Sequence, residues 1–237
     1  MEKIICKICN EPIVDSQYYH NEWGESMHIH HKDSYCRCSV CGRFQTKAEA
    51  RSTRICDVCV KMAVKDQTGI DWVQGRVKEI LIRNGIEIDF DQIPIEIVNI
   101  TKLIEVLGRD RDMTDLQGAT KTIKKESAKL GVRFSYKIYM LDQLPRIAFA
   151  NILAHEYMHV WLNGANIKMS QDKIEGFCNM GSFLVLDTIK HTLSNFIIKG
   201  LMMNRNPIYG DGFRFMKEQY DKFGWPKLLA KVRDREF

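Results

Sequence analysis

The sequence predicts an α+β fold in which a small N-terminal module precedes a larger globular domain. Three observations lead to this expectation. Seven of the eight cysteines fall within the first sixty residues. The rest of the chain alternates between the apolar spacing of helices and that of strands. A length of 237 residues with 45% hydrophobic and 27% charged residues suits a folded chain of one or two domains.

Charge and hydropathy exclude several classes of protein. The net charge of +5 is too small to indicate nucleic-acid binding by itself. The apolar runs are too short to span a bilayer, so we expect no membrane association. The first residues, Met-Glu-Lys-Ile-Ile-Cys, lack the apolar core of a signal peptide. We therefore expect a cytoplasmic protein whose clustered thiols bind metal rather than form disulfides.

The cysteines of the first sixty residues form three CxxC pairs, and two such pairs complete a tetrahedral zinc site. One full set is predicted to comprise Cys38, Cys41, Cys56 and Cys59. Cys6 and Cys9 need two further ligands from the stretch 27–36. We favour His31 and Cys36, with His28 as the rival histidine. The alternative is a redox dithiol or thiols without a ligand role. Metal would supply much of the folding free energy of so short a segment.

Local patterns predict the elements that connect this module to the rest. Apolar spacing predicts a helix over Asp71–Asn84, and Gly85 follows as its cap. Alternation predicts strands at Ile86–Phe90 and at Ile93–Ile97, where Pro94 favours an edge position. We expect loop or irregular structure from Gly108 to Gly131. Aromatic and β-branched residues predict a strand from Arg133 to Leu141.

The chemistry of the larger domain centres on a helix that Pro145 opens and that ends near Gly164. It contains the HExxH sequence, in which His155 and His159 project from one face and can share a zinc ion. Glu156 is positioned to take a proton from a zinc-activated water as that water attacks a peptide carbonyl. The alternative is that both histidines are ordinary helix residues with hydrogen-bond partners.

A catalytic zinc ion needs a third protein ligand. Position 165 is an alanine, which excludes the metzincin solution. Ser170-Gln-Asp-Lys predicts the start of another helix that extends to about Asn195. Glu175, in its first turns, is the predicted third ligand, as in thermolysin-type (gluzincin) sites, unless it only compensates the helix dipole. Asn179, one turn later, either supports a ligating histidine or is a plain polar residue.

The predicted strand before the HExxH helix also suits a peptidase. An edge strand beside the cleft can pair with the backbone of an extended peptide, which would allow sequence-tolerant cleavage. Arg133–Leu141 is the candidate for that edge strand.

Two families resemble parts of this chain. The order of zinc ligands and the segment Cys38-Ser-Val-Cys41-Gly-Arg resemble a LIM domain, although LIM domains usually have His-x2-Cys before the third knuckle. The run LPR…ILAHE-x-x-H-x-WL…SQD-x-x-EG, with the later block Pro207-Ile-Tyr-Gly-Asp-Gly-Phe-Arg, resembles the plant organ-size LIM peptidases, the ubiquitin-activated "DA-one" family.

The second resemblance implies a zinc peptidase acting on protein substrates, including those of the ubiquitin pathway. It implies zinc ligation by His155, His159 and Glu175, with Glu156 as base. It places Tyr209 or Arg214 near the cleft, where a tyrosine hydroxyl stabilises an oxyanion. The other reading of Tyr209 is a structural turn residue. Because the zinc module begins at Cys6, we expect a short form without ubiquitin-interacting helices.

The sequence therefore predicts a LIM-like module over residues 1–65 and a gluzincin-like metallopeptidase domain over residues 66–237. One catalytic and two structural zinc ions are expected. The module is expected to dock a protein partner or substrate. The main alternative is a catalytically silent LIM-type adaptor on a peptidase fold. A zinc-ribbon nucleic-acid binder, suggested only by the basic stretch from Lys121 to Lys129, is the weakest reading.

Overall fold

The structure is a computed structural model of the chain, and it describes residues 3–47, 49, 55–108, 117–127 and 131–237. Its N-terminal part contains two small antiparallel hairpins and one short helix. The elements are β1 (Tyr18–His20) paired with β2 (Ser26–His28), β3 (Tyr35–Arg37) paired with β4 (Phe44–Thr46), and α1 (Asp57–Lys61).

Helix α2 (Gln67–Arg83) confirms the first predicted helix and extends it by one turn at its start. The extension is explained by Asp66, whose side chain accepts a hydrogen bond of 2.8 Å from the Gly69 amide as an N-cap. Gly85 follows the helix with a φ of +75°, a conformation that glycine adopts without steric cost.

The central sheet has three strands in the order β5–β7–β6, with bounds β5 (Ile95–Val98), β6 (Gly118–Ser127) and β7 (Gly131–Leu141). Strand β5 runs parallel to β7, whereas β6 runs antiparallel to it. The strands expected near Ile93–Ile97 and Arg133–Leu141 are confirmed, and β5 lies at an edge as Pro94 indicated. Helix α3 (Ile100–Leu107) packs against one face of the sheet, where its Leu103 forms a buried cluster with Ala119 of β6 and Tyr139 of β7.

Three expectations about this region were wrong. Residues 86–89 have no strand partner, because Ile86 and Phe90 instead bury their side chains in the main core and Phe90 begins a 3-10 turn. The segment expected to be irregular, Gly108–Gly131, contains strand β6, which depends on its ladder with β7 rather than on local pattern. Residues 109–116 and 128–130 of that segment lie outside the described residues. Strand β7 is central, so it cannot be the edge strand that we expected beside the cleft.

Helices make up the C-terminal half, with bounds α4 (Arg146–Gly164), α5 (Gln171–Ile189), α6 (Thr192–Met203), α7 (Gly212–Phe223) and α8 (Trp225–Arg233), and a π-helical turn at Pro207–Asp211. The predicted helix after Ser170 is confirmed, but it ends six residues early. Lys190 takes a left-handed conformation there, and His191 caps α6 by accepting from the Leu193 amide at 3.0 Å.

One hydrophobic core joins α2, α4, α5, α7 and α8, and it includes the four cysteines from Cys38 to Cys59. A separate small core around Cys6, Met27 and Phe44 supports the first hairpin. The domain boundary at residue 65 stays a prediction, since the main core extends across it. Every helix in the described part of the chain is too short or too polar to cross a bilayer.

The N-terminal part packs directly against α6. A Cβ atom added to Gly42, which has a φ of +72°, would lie 2.5 Å from the Phe196 ring. The Trp23 indole donates to the Cys41 carbonyl at 2.7 Å, and Lys199 pairs with Glu22 at 2.7 Å. The segment that contains Cys38 and Cys41 is thereby held against the helical part of the structure.

Candidate zinc centres

Helices α4 and α5 bring three donor atoms together at one point. The two Nε2 atoms of His155 and His159 are 3.1 Å apart, and Oε2 of Glu175 lies 3.2 Å from the first and 3.5 Å from the second. Ligands bound at about 2.0–2.1 Å to a tetrahedral zinc ion lie about 3.3–3.4 Å from one another. The three atoms therefore have the mutual spacing that a zinc ion requires.

The convergence follows from how the two helices pack. His159 contacts Cys178, His155 contacts Asn179, and the Asn151 carbonyl accepts from Ser182, so the chain numbers run in opposite directions. An antiparallel pair of helices with the short connection 165–170 puts the first turn of α5 opposite the last turns of α4. Glu175 consequently faces the two histidines.

The charges of the cluster favour a bound cation. Burial raises the pKa of Glu175, but hydrogen bonds from His155 and His159 outweigh burial and hold that pKa well below its usual range. Burial lowers the pKa of His155, yet the neighbouring Glu175 carboxylate raises it overall. A carboxylate that stays ionised among imidazole nitrogens is a donor set typical of zinc.

The other ring nitrogens of both histidines have polar partners. Nδ1 of His155 lies 2.9 Å from Oδ1 of Asn179, whose amide nitrogen donates to the Tyr209 carbonyl at 3.3 Å. Nδ1 of His159 lies 3.4 Å from the sulfur of Cys178. Such contacts fix the tautomer that leaves Nε2 free to bind a metal. Asn179 therefore lies where it can orient the His155 ring, one of the two roles considered for it.

Cys178 also belongs to a possible donor group with His155 and His159, whose donor atoms lie within 4.8 Å of one another. The Cys178 sulfur, however, is on the Nδ1 side of His159, whereas the Nε2 atoms face Glu175. Burial raises the pKa of Cys178. Glu175 is therefore the better third ligand, and Cys178 lies behind the histidine.

Glu156 is buried beside this cluster, at 6% exposure, and it contacts strand β6. The Thr120 hydroxyl donates to Oε2 of Glu156 at 2.6 Å. A Cβ atom added to Gly118 would lie 2.3 Å from the Ile152 side chain and 3.4 Å from Oε1 of Glu156. Glycine at position 118 thus allows β6 to approach helix α4 next to the carboxylate.

Tyr209 and Arg214 lie in and after the π-helical turn. Tyr209 is half-buried, and its carbonyl oxygen is joined to the histidine cluster through Asn179. The Arg214 guanidinium donates to the carbonyls of Met202 and Asn204 and pairs with Asp211, so it braces the turn. An oxyanion role for the Tyr209 hydroxyl stays a prediction.

The second N-terminal cluster consists of Cys38, Cys41, Cys56 and Cys59, all buried. The sulfur of Cys38 lies 3.8 Å from that of Cys59, and that of Cys41 lies 3.7 Å from that of Cys56. Zinc–sulfur bonds of about 2.3 Å place tetrahedral ligands about 3.8 Å apart. Hydrogen bonds from Cys41 and the other thiols hold the pKa of Cys38 far below its usual value, which favours the thiolate.

The first N-terminal cluster differs from the predicted one. The structure brings together Cys6, Cys9, His28 and His31. Nδ1 of His28 lies 3.5 Å from the Cys9 sulfur, and Nε2 of His31 is buried without a hydrogen-bond partner, as suits a metal ligand. Cys36 was the wrong choice. Its thiol points toward the carbonyls of Gln45 and Thr46 across the β3–β4 hairpin.

The reason for that error lies in spacing. His28 and His31 are separated by two residues, the spacing that LIM domains use at this point, with histidine in place of the usual cysteine. The prediction chose Cys36 because cysteine is the more usual zinc ligand, and it gave too little weight to the spacing of His28 and His31. Sequence reasoning also missed Thr120, for which no local signal exists. The position of Cys178, three residues after Glu175 and so on the same helical face, would have marked it as a neighbour of the site.

Together these features define a class of protein, one in which a LIM-type zinc-binding module precedes a mixed α/β domain with a histidine–glutamate cluster. Residues 100–192 match the sequence model of a family described as "DA1-like: Protein DA1". The chain is thus similar to DA1-like LIM-domain proteins, which confirms the resemblance seen in its sequence.

Two curated plant proteins are similar to the chain. Protein DA1 of Arabidopsis thaliana is 27% identical over 125 residues, which cover 40% of this chain and 24% of the relative. LIM domain-containing protein HDR3 of Oryza sativa subsp. japonica is 23% identical over an alignment of 287 residues, which covers 90% of this chain and 56% of the relative. The chain therefore spans only about a quarter to a half of these relatives. No solved structure matches it.

Proposed function

We propose that the protein is a zinc-dependent endopeptidase whose LIM-type module docks a protein partner or substrate. The observation that carries the proposal is the convergence of Nε2 of His155, Nε2 of His159 and Oε2 of Glu175 within 3.5 Å of one another, with the Glu156 carboxylate buried beside them. Similarity to a LIM domain-containing protein supports the LIM-type module, whereas the proposed peptidase activity rests on this geometry and on the HExxH sequence.

His155, His159 and Glu175 would hold the zinc ion. When bound, zinc lowers the pKa of a water molecule and polarises the scissile carbonyl. Glu156 would accept a proton from the attacking water as the oxygen of that water bonds to the carbonyl carbon. The same carboxyl group would then give that proton to the amine nitrogen as the C–N bond breaks. Asn179 and Cys178 keep both imidazoles oriented throughout.

Strand β6 takes the substrate-pairing role that we had expected of β7. The Leu141 amide donates to the Gln117 carbonyl, and the Ile138 amide donates away from β6 to Pro94. Because hydrogen-bonded and non-hydrogen-bonded pairs alternate in an antiparallel ladder, Gly118, Thr120 and Thr122 direct their backbone polar groups away from β7. No strand of the described part of the chain lies beyond β6. An extended peptide added there would run alongside Glu156.

The substrate class that fits an open sheet edge is an extended or unfolded polypeptide. Proteins of the ubiquitin pathway are a narrower proposal that rests on resemblance alone. The similarity of the N-terminal module to LIM domains supports a role in binding another protein. Its four-ligand clusters leave no open position for water, so we assign them a structural role.

The test is hydrolysis of unfolded and ubiquitin-like proteins by the wild type and by Glu156→Gln. Glutamine keeps the size of the side chain and removes the base. We expect cleavage by the wild type, its loss on chelation, its return with zinc, and a rate at least about 10²-fold lower for Glu156→Gln. Equal, chelator-insensitive cleavage by both proteins would remove the mechanism. No cleavage by either, with partner binding intact, would favour the silent adaptor.

A further inference from the structure

Strand β6 contributes a side chain to the candidate catalytic cluster that the HExxH sequence does not include. The Thr120 hydroxyl lies 2.6 Å from Oε2 of Glu156 and 3.4 Å from the Glu156 carbonyl oxygen. A hydroxyl has one proton to donate, and a distance of 2.6 Å is typical of donation to a charged carboxylate. The carboxylate is therefore the partner of this hydroxyl.

We infer that Thr120 is a positioning residue that orients the Glu156 carboxylate for its role as base. The inference rests on the proposed peptidase function and adds a residue to it. The bond occupies Oε2 and leaves Oε1 on the side of Gly118, where the chain has no side chain. Oε2 of Glu156 is thus held by Thr120, and Oε1 lies next to the space between β6 and α4.

The local structure makes threonine suited to this task. A β-branched side chain in a strand has few χ1 rotamers, so its hydroxyl is held in place before any substrate arrives. Strand β6 is fixed to β7 by a ladder of ten residue pairs, and Ala119 is buried against α3 on the opposite face. The anchor of the base therefore has little freedom of its own.

Thr120 also connects the base with the proposed peptide-binding edge. Its side chain contacts Glu156, whereas its backbone N–H and C=O point away from β7, toward the side on which an added strand would pair. Removal of the hydroxyl leaves those backbone groups unchanged. Loss of orientation should therefore lower kcat and leave KM nearly constant.

The experiment compares Thr120→Val, which has the same shape without the donor, with Thr120→Ser, which keeps the donor. Thr101→Val, an exposed threonine on α3 outside the proposed site, is the matched control. We expect Thr120→Val to lower kcat by about 10–100-fold with KM within about twofold, while zinc content is unchanged. Thr120→Ser and Thr101→Val should stay within about threefold of the wild type.

A crystal structure of Thr120→Val supplies a readout that does not depend on activity. The Glu156 carboxylate should leave the position that it occupies in the wild type and return to it in Thr120→Ser. An unmoved carboxylate in Thr120→Val, or equal losses of kcat for valine and serine, would overturn the positioning role. If the wild type cleaves nothing, the proposed function fails, and the position of the carboxylate still decides the role of Thr120.

Discussion

Replacement of Gly176 by alanine should disturb the candidate catalytic zinc centre through the backbone of its neighbour, Glu175. Gly176 faces the backbone of Gly212 at the start of α7. An added Cβ atom would lie 2.2 Å from the Gly212 carbonyl oxygen and 2.3 Å from its carbon. Ordinary contact begins at 3.4 Å, so α5 and α7 must separate by about 1.2 Å. Backbone atoms on both sides leave no flexible side chain to yield.

The expected cost is about 1–3 kcal/mol of unfolding free energy, as for other overpacked cores. A shift of about 1 Å at a catalytic ligand also lowers activity by about 10²-fold. Denaturant unfolding and zinc titration against a chromophoric chelator measure the two effects. Gly75→Ala is the control. Gly75 is exposed on helix α2, and a Cβ atom added there would have no other atom within 4 Å. It should stabilise the protein by about 0.4–1 kcal/mol. Equal stability and zinc affinity for both variants would refute the reasoning.

Three further predictions concern other residues in or near the zinc centres. His28→Ala should lose one zinc ion per chain, with little change in the main unfolding transition, whereas Cys36→Ser should keep all its zinc. Zinc loss in Cys36→Ser but not in His28→Ala would restore Cys36 as the ligand. Cys41→Ser should lose one zinc ion and lower the free energy of unfolding by roughly 3 kcal/mol or more, because its cluster belongs to the main core. An unchanged denaturation midpoint would contradict this prediction. Cys178→Ala should weaken zinc binding by roughly 10–100-fold at the histidine–glutamate centre, and equal affinity in chelator competition would show that the sulfur does not support His159.

Features that depend on local spacing could be predicted from the sequence. The positions of His155 and His159 on one helical face follow from a separation of four residues. Glu175 followed from the need for a third ligand and from a short connection between helices. The cluster from Cys38 to Cys59 followed from the CxxC pairs.

Features that depend on partners distant in sequence could not be predicted. Strand β6 has a weak local pattern, and its ten residue pairs with β7 determine its conformation. The alternation of Ile86 and Phe90 is typical of a strand, but burial in the core satisfies those side chains without a sheet. Placing β7 at the sheet edge failed for the same reason, since β6 had not been recognised. The contact between Thr120 and Glu156 joins residues 36 apart and has no local signature.

The central claim is that the chain has a third zinc centre formed by His155, His159 and Glu175, distinct from the two centres of the LIM-type module. Zinc content per chain, measured by native mass spectrometry, tests it most directly. We predict three zinc ions in the wild type and in Glu156→Gln, and two in His155→Ala. Two zinc ions in the wild type, unchanged in His155→Ala, would contradict the claim.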